Sequence, residues 1–373
     1  MKKKLILGTC LPRSGGSLAS NLLTCHRRIL VTTDLFHFFR FSIGKYKPIE
    51  KFSNQYKLVQ DVCLRLKIRN KININPQEIL KNREIKSYKE ILDSFAEFIA
   101  KRTAGKNYIG EVANNEWRNI ENFLKMSTEH KAFQIIRDPR AVLASWKKLT
   151  YSKGNKYLNI IFQWIDAANY CEKNKRKYIK SFIVIKFEDI HKNPKKIAKK
   201  FCKFLKVSFD KNIINEKKWP LLLKNKFVKV NYSSYSKKKI YGFSLKRTKN
   251  WKIKIEKWEI ALIQHLCKKY LKKFNYEIIP TTKNDLKKGL QKIREDKLLK
   301  KNYEVFIKTG EGANKFLKDP TKPENWGTVS SSNLKEKFTD TNDYKKYIKY
   351  KKIINEKYTR LKKAEDNEIK KIA

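Results

Sequence analysis

The sequence predicts a three-layer α/β fold with a central parallel sheet and helices on both faces. Three observations carry that expectation. Short apolar segments of strand length alternate with longer segments whose apolar residues recur every three or four positions. Two of the short segments run straight into a loop and then a helix start. Hydrophobic residues make up 40% of the 373 and aromatics 12%, which is enough to fill a large core.

The elements follow in order. Residues 4–10, "KLILGTC", read as a first strand, and 17–25 as the helix after a glycine-bearing loop. From about 40 to 100 the chain reads as helical and polar. Its clearest amphipathic run is "EILDSFAEFIAKRTA", with Ile91, Leu92, Phe95, Phe98 and Ile99 at helical spacing. "NYIGEVA" reads as a strand, and "KAFQIIRDPRAVLASWKKL" as strand, turn and helix. "YLNIIFQWIDAANYCEKN" is a helix, "SFIVIKFEDI" a strand, and "PKKIAKKFCKFLKV" the helix that follows. A further helix is expected at about 256–273. Beyond Pro280 lysines and acids mix, which sets residues 1–280 as an α/β domain and 281–373 as a basic, mainly helical extension. In its last stretch Tyr347, Tyr350, Ile354, Tyr358 and Leu361 form a helical stripe.

Composition narrows the function classes. Lys+Arg total 88 against 36 Asp+Glu, a formal charge of +52 that attracts anions. Lysine, isoleucine and asparagine are abundant together, as biased codon usage also produces, so charge alone selects no partner. The six cysteines lie far apart without a CxxC pair, which fits free thiols and neither a zinc site nor a disulfide frame. No run reaches the ~18 apolar residues of a membrane-spanning helix. Lys2 to Lys4 before "LILGTCL" mimic a signal peptide, but the apolar part is short and stops at Pro12-Arg13. A cytoplasmic location is therefore expected.

The loop "LPRSGGS" supplies the first chemistry. A strand, a glycine bend and a helix start converge backbone N–H groups and the positive end of a helix dipole on one point. Gly15 and Gly16 allow close approach, Ser14 and Ser17 add hydroxyls, and Arg13 adds a charge. A Walker A loop would carry lysine where Gly16 stands. In "FQIIRDPRAVLAS", Arg137 ends a strand, Asp138 is placed as an N-cap, and Pro139 is the first helical residue. Ligands bind at that carboxyl edge in open α/β sheets. Ser145 follows two turns into the helix.

"LPRSGGSLASNLL" and "IIRDPRAVLAS", in this order and about 120 residues apart, resemble the sulfotransferases that use 3′-phosphoadenosine 5′-phosphosulfate (PAPS), above all their carbohydrate and bacterial branches. The resemblance covers about residues 5–279. It implies a P-loop NTPase-like sulfotransferase fold, PAPS as co-substrate and no metal. It also implies a small-molecule or glycan acceptor and no specific nucleic acid. Arg13, Ser14, Gly15, Gly16, Ser17 and Leu18 would hold the 5′-phosphosulfate, with Arg13 also neutralising the leaving oxygen. Arg137 and Ser145 would hold the 3′-phosphate. "GFSLKRTKNWKIKIEKWE" is similar to the family's late basic loop, which would bring Arg247, Lys249 and Trp251 to the nucleotide. Glu188 and Asp189 would be caps and turn formers. Glu111 of "YIGEVANNEW" matches the acid of a "GEKTP"-like segment, although Val112 and Ala113 replace its lysine and threonine. His37 and Asp34 in "TTDLFHFFRF" are the other candidates for a general base, and Phe36, Phe38 and Phe39 line an acceptor pocket or fill core. A nucleotide kinase and a salt-sensitive polyanion binder are the alternatives.

Overall fold

The computed structural model describes residues 3–33, 35–67, 72–81, 84–103, 105–147, 154–224, 227 and 242–313. Asp34 and the stripe from Tyr347 to Leu361 lie outside the described residues. Among the described residues, 35–103 gather into one compact unit, and 4–33 with 105–313 into another.

The larger unit is built on five parallel strands: β1 (Lys4–Cys10), β2 (Ile29–Thr33), β3 (Tyr108–Asn114), β4 (Lys131–Ile136) and β5 (Phe182–Lys186). Their order is β2-β3-β1-β4-β5. Leu7 of β1 stands opposite Glu111 of β3, and Thr9 opposite Gln134 of β4. The chain leaves central β1 for one side of the sheet, then crosses to the other. That reversal opens a crevice at the carboxyl ends beside β1.

Helix α1 (Gly16–Thr24) follows β1. Lys106 Nζ fixes its far end by donating to the carbonyls of Thr24, His26 and Ile29 at 2.9, 2.8 and 3.0 Å. Burial holds this ammonium at a pKa of about 8. The smaller unit carries α2 (Phe38–Phe41), α3 (Phe52–Arg65), α4 (Pro76–Leu80) and α5 (Tyr88–Lys101). In α5 the predicted stripe is buried, with Ile91, Phe95 and Ile99 fully enclosed. Within this unit the buried Arg65 binds the carbonyls of Leu35 and Phe36. Phe36 and Phe38 are core residues; Phe36 packs on Phe95 at 5.5 Å between ring centres.

After β3 come α6 (Ile120–Lys125), β4 and α7 (Pro139–Lys147), then α8 (Asn159–Lys177) and β5. α9 (Phe187–Lys192) and α10 (Pro194–Leu205) follow, with α11 (Trp219–Leu222) and α12 (Lys246–Lys249) beyond. α13 (Lys257–Leu266), α14 (Lys268–Lys273), α15 (Lys283–Arg294) and α16 (Lys297–Thr309) complete the described chain. Three details differ from the sequence expectation. β2 forms from "ILVTT", a run of five between a basic turn and an aromatic stretch, too short to stand out. "FEDI" turns into α9 instead of extending β5. The helix expected at 256–273 breaks at Cys267, whose backbone leaves helical angles.

α15 and α16 pack on the α/β core, where Ile293 and Leu299 are fully buried in the same hydrophobic cluster as Trp258 and Leu262. The strand, loop and helix elements expected around the two motifs are all present, so the fold class holds.

Candidate functional site

The loop after β1 is shaped by two left-handed residues, Arg13 at φ 75° and Gly15 at φ 97°. Arginine takes this conformation at a cost, which its side-chain contacts offset. Gly15 is required twice: by its φ, and because a Cβ there would strike the Phe187 ring. At Gly16 a Cβ would come within 2.8 Å of Cys10 Sγ and 3.0 Å of Val112 Cγ1. A side chain at the Walker-lysine position would therefore require Cys10 to move. Ser14 is buried, and its N–H donates to Leu11 O at 3.0 Å. Ser17 and Leu18 sit half-buried in the first turn of α1.

Arg137 leaves the end of β4 and points back to this loop. Its Nη1 donates to Arg13 O at 2.6 Å and its Nη2 to Arg247 O at 2.9 Å. The guanidinium lies 4.2 Å over the Phe187 ring, on which Gly15 also abuts. Trp164 Nε1 holds the Arg137 carbonyl at 2.8 Å. Burial lowers the Arg137 pKa to about 10, with Glu188 opposing and Arg13 reinforcing the shift, so the group stays charged at neutral pH. Arg13 in turn donates from Nε to Ser145 Oγ at 2.9 Å. The two motifs therefore interlock: the arginine of each reaches an acceptor on the other.

Supporting groups hold this centre from below. Asp138 caps α7 by accepting from Arg140 N at 2.9 Å, as its position predicts. Its carboxylate also takes a fork from Arg140, with Nε to Oδ1 at 2.9 Å and Nη2 to Oδ2 at 2.8 Å. The Arg140 guanidinium sits 4.0 Å over the Trp251 ring. Glu188 accepts from Asp138 N at 3.0 Å and from Tyr276 Oη at 3.2 Å. Burial pushes the Glu188 carboxyl pKa up. Glu188 thus braces the Arg137 turn, a tertiary role beyond the capping expected of it. Phe187 and His191, which also border Arg137, carried no signal in the sequence; an ordinary helix-start pattern hid them.

Of the late basic loop, Arg247 is brought in through its backbone carbonyl. Its side chain is half-buried and donates to Gly242 O at 3.2 Å. Lys249 is exposed, and Trp251 belongs to the core beneath Arg140. Glu111 is buried at the middle of β3, three residues short of its carboxyl end, or roughly 10 Å at ~3.3 Å per residue. Val112 faces α1, so Glu111 lies on the opposite face, the side on which Gln134 bonds Ala167 O of α8. In the smaller unit, His37 is buried in a left-handed conformation at φ 46°, its ring 5.8 Å from that of Phe41.

Among the described residues, three buried donors around Arg137 have no hydrogen-bond partner: Arg137 Nε, Arg247 Nη2 and His191 Nε2. Such orphans are rare in folded proteins, and an anion would satisfy them.

The sulfotransferase family model matches residues 6–211, more than half of the chain. This protein belongs to the sulfotransferase family. Among solved structures, this sulfotransferase is similar to the sulfotransferase domain of the Synechococcus PCC 7002 olefin synthase. There the identity is 16%, over 75% of this chain and 98% of that one, with a TM-score of 0.48. It is also similar to the Mycobacterium avium sulfotransferase STF9, at 11% identity over 74% and 78% of the two chains and a TM-score of 0.40. Mouse sulfotransferase SULT7A1, solved in complex with PAP, matches at 13% identity over 82% and 89%, with a TM-score of 0.32. No curated protein matches.

Proposed function

We propose that this sulfotransferase moves a sulfuryl group from PAPS to a hydroxyl of a carbohydrate or glycan acceptor. One observation carries the nucleotide part: Arg137 of the second motif binds the backbone of the first-motif loop, and Arg13 of that loop binds Ser145. One adenine nucleotide with charged groups at both ends would span such a pair of cradles. The orphaned donors Arg137 Nε and Arg247 Nη2 suit its phosphate oxygens. A kinase reading loses ground at Gly16, which stands where the phosphate-gripping lysine would be and where a Cβ would press on Cys10 Sγ.

The co-substrate supplies an activated sulfuryl group and departs as the bisphosphate. The residues of the chain then have distinct tasks. The loop N–H groups at Gly15–Ser17 and the Arg13 guanidinium would neutralise the leaving oxygen, the largest usual contribution to transfers of this kind. Arg137 and Ser145 would hold the 3′-phosphate and so fix the direction of attack. Glu111 or His37 would take the acceptor proton. A glycan acceptor rests on the likeness of "RDPRAVLAS" to the carbohydrate branch, and a cytoplasmic site of action on the reading of the amino terminus.

Calorimetry of the wild type tests the nucleotide assignment. Micromolar-class affinity for adenosine 3′,5′-bisphosphate, exceeding that for ADP or ATP and indifferent to Mg²⁺, is expected; equal or tighter binding of Mg²⁺-ATP would sink it. Labelled-sulfate transfer onto a panel of saccharides tests the acceptor class. In the same assay Glu111→Gln is expected to lower turnover by ~10²–10⁴-fold with bisphosphate affinity intact, the usual worth of a general base. Unchanged turnover would rule out Glu111 as the base.

A further inference from the structure

The segment from Gly242 to Trp251 touches Arg137 through one carbonyl, that of Arg247, and something must hold that carbonyl in place. Two side chains grip the segment's leading end. Glu216 accepts the N–H of Phe243. His191 of α9 accepts the N–H of Ser244 at Nδ1, at 2.8 Å. From Ser244 the chain turns directly into α12, with Arg247 N donating back to Ser244 O at 3.2 Å. The His191 ring is buried and stands edge-on to Phe187, 4.4 Å between centres, on the ring that carries Arg137.

We propose that His191 is a positioning residue of the nucleotide site: as a neutral imidazole it latches the basic segment at Ser244, and through Arg247 O it orients Arg137. Acceptance at Nδ1 places the ring hydrogen on Nε2, which is buried and has no partner among the described residues, beside two arginines that also hold orphaned donors. The latch rests on the nucleotide reading above for its functional meaning, but not for its geometry.

Charge gives the latch a second property. The groups facing the ring are Arg137 from the β4–α7 turn and Arg247 from α12, and Arg247 in turn feels the Glu216 carboxylate. Burial and these two cations lower the His191 pKa to about 4. A depressed pKa means that docking is fully stable above the imidazole's ordinary range and weakens as pH falls towards 4. Protonation removes the acceptor for Ser244 N–H and sets a third cation against two.

The test uses the full chain with His191→Asn, which keeps an acceptor near the Nδ1 position, and His191→Leu, which fills the space without one. In the leucine variant, exchange of the Ser244 amide and its neighbours is expected to accelerate about tenfold, and bisphosphate affinity to drop about tenfold, the worth of one buried hydrogen bond. The asparagine variant is expected to stay near wild type in both. As pH falls from 7 to 5, the wild-type advantage over His191→Leu is expected to shrink. Wild-type exchange and affinity in the leucine variant would overturn the latch, as would equal losses in both variants. A wild type that binds no bisphosphate would overturn the nucleotide reading instead, and the amide exchange would still decide the latch.

Discussion

Asp138→Ala is expected to destabilise the protein by ~3–5 kcal/mol, the range found when one partner of a buried ion pair is removed. The side chains of Asp138 and Arg140 are 7% and 1% exposed, so water cannot replace the lost carboxylate. Arg140 would keep only its bond to Gln264 Oε1 at 3.1 Å and its place over Trp251. The same change removes the cap of α7, the helix that carries Ser145. Urea unfolding measures the loss. The double variant Asp138→Ala/Arg140→Met, with no stranded charge, is expected to lie closer to wild type than the single one. A single variant within ~1 kcal/mol of wild type would show that this pair contributes little.

Arg137→Ala is expected to weaken adenosine 3′,5′-bisphosphate binding by ~100-fold or more, which is ~2.7 kcal/mol and the worth of one or two charge-assisted hydrogen bonds. The loss has two sources. One charged donor set disappears from the proposed phosphate cradle, and the carbonyls of Arg13 and Arg247 lose the fork that ties their segments together. Arg137→Lys is expected to recover little, because a single ammonium cannot span both carbonyls as the planar fork does. Calorimetry checks both variants, and binding within threefold of wild type in the alanine variant would refute the assignment.

Much of this centre was legible in the sequence because local signals agreed with one another. An apolar run ending in Arg137-Asp138-Pro139 announces strand, cap and helix start from three adjacent residues, and each takes its expected place. Gly15 and Gly16 likewise announce a bend that the backbone angle and the lack of room for a Cβ both require. What stayed hidden depends on long-range partners. Nothing local distinguishes Glu188 as the brace of the Asp138 amide 50 residues away. Neither does the sequence show that Arg137 would devote two donors to backbone carbonyls, or that Trp251 would lie in the core under Arg140 and not at the surface. β2 was hidden for a different reason: five residues of edge strand draw their stability from β3, not from their own pattern.

The family model matches residues 6–211, yet the packed interior continues beyond them. Leu299 is fully enclosed, and Ala313 N donates to Phe162 O of α8 at 3.0 Å. The matched stretch and the packed interior thus have different borders in this chain. A recombinant fragment trimmed at residue 211 would bare the apolar flank of α8, where Phe162 packs on Phe306, and its insolubility would say nothing about catalysis.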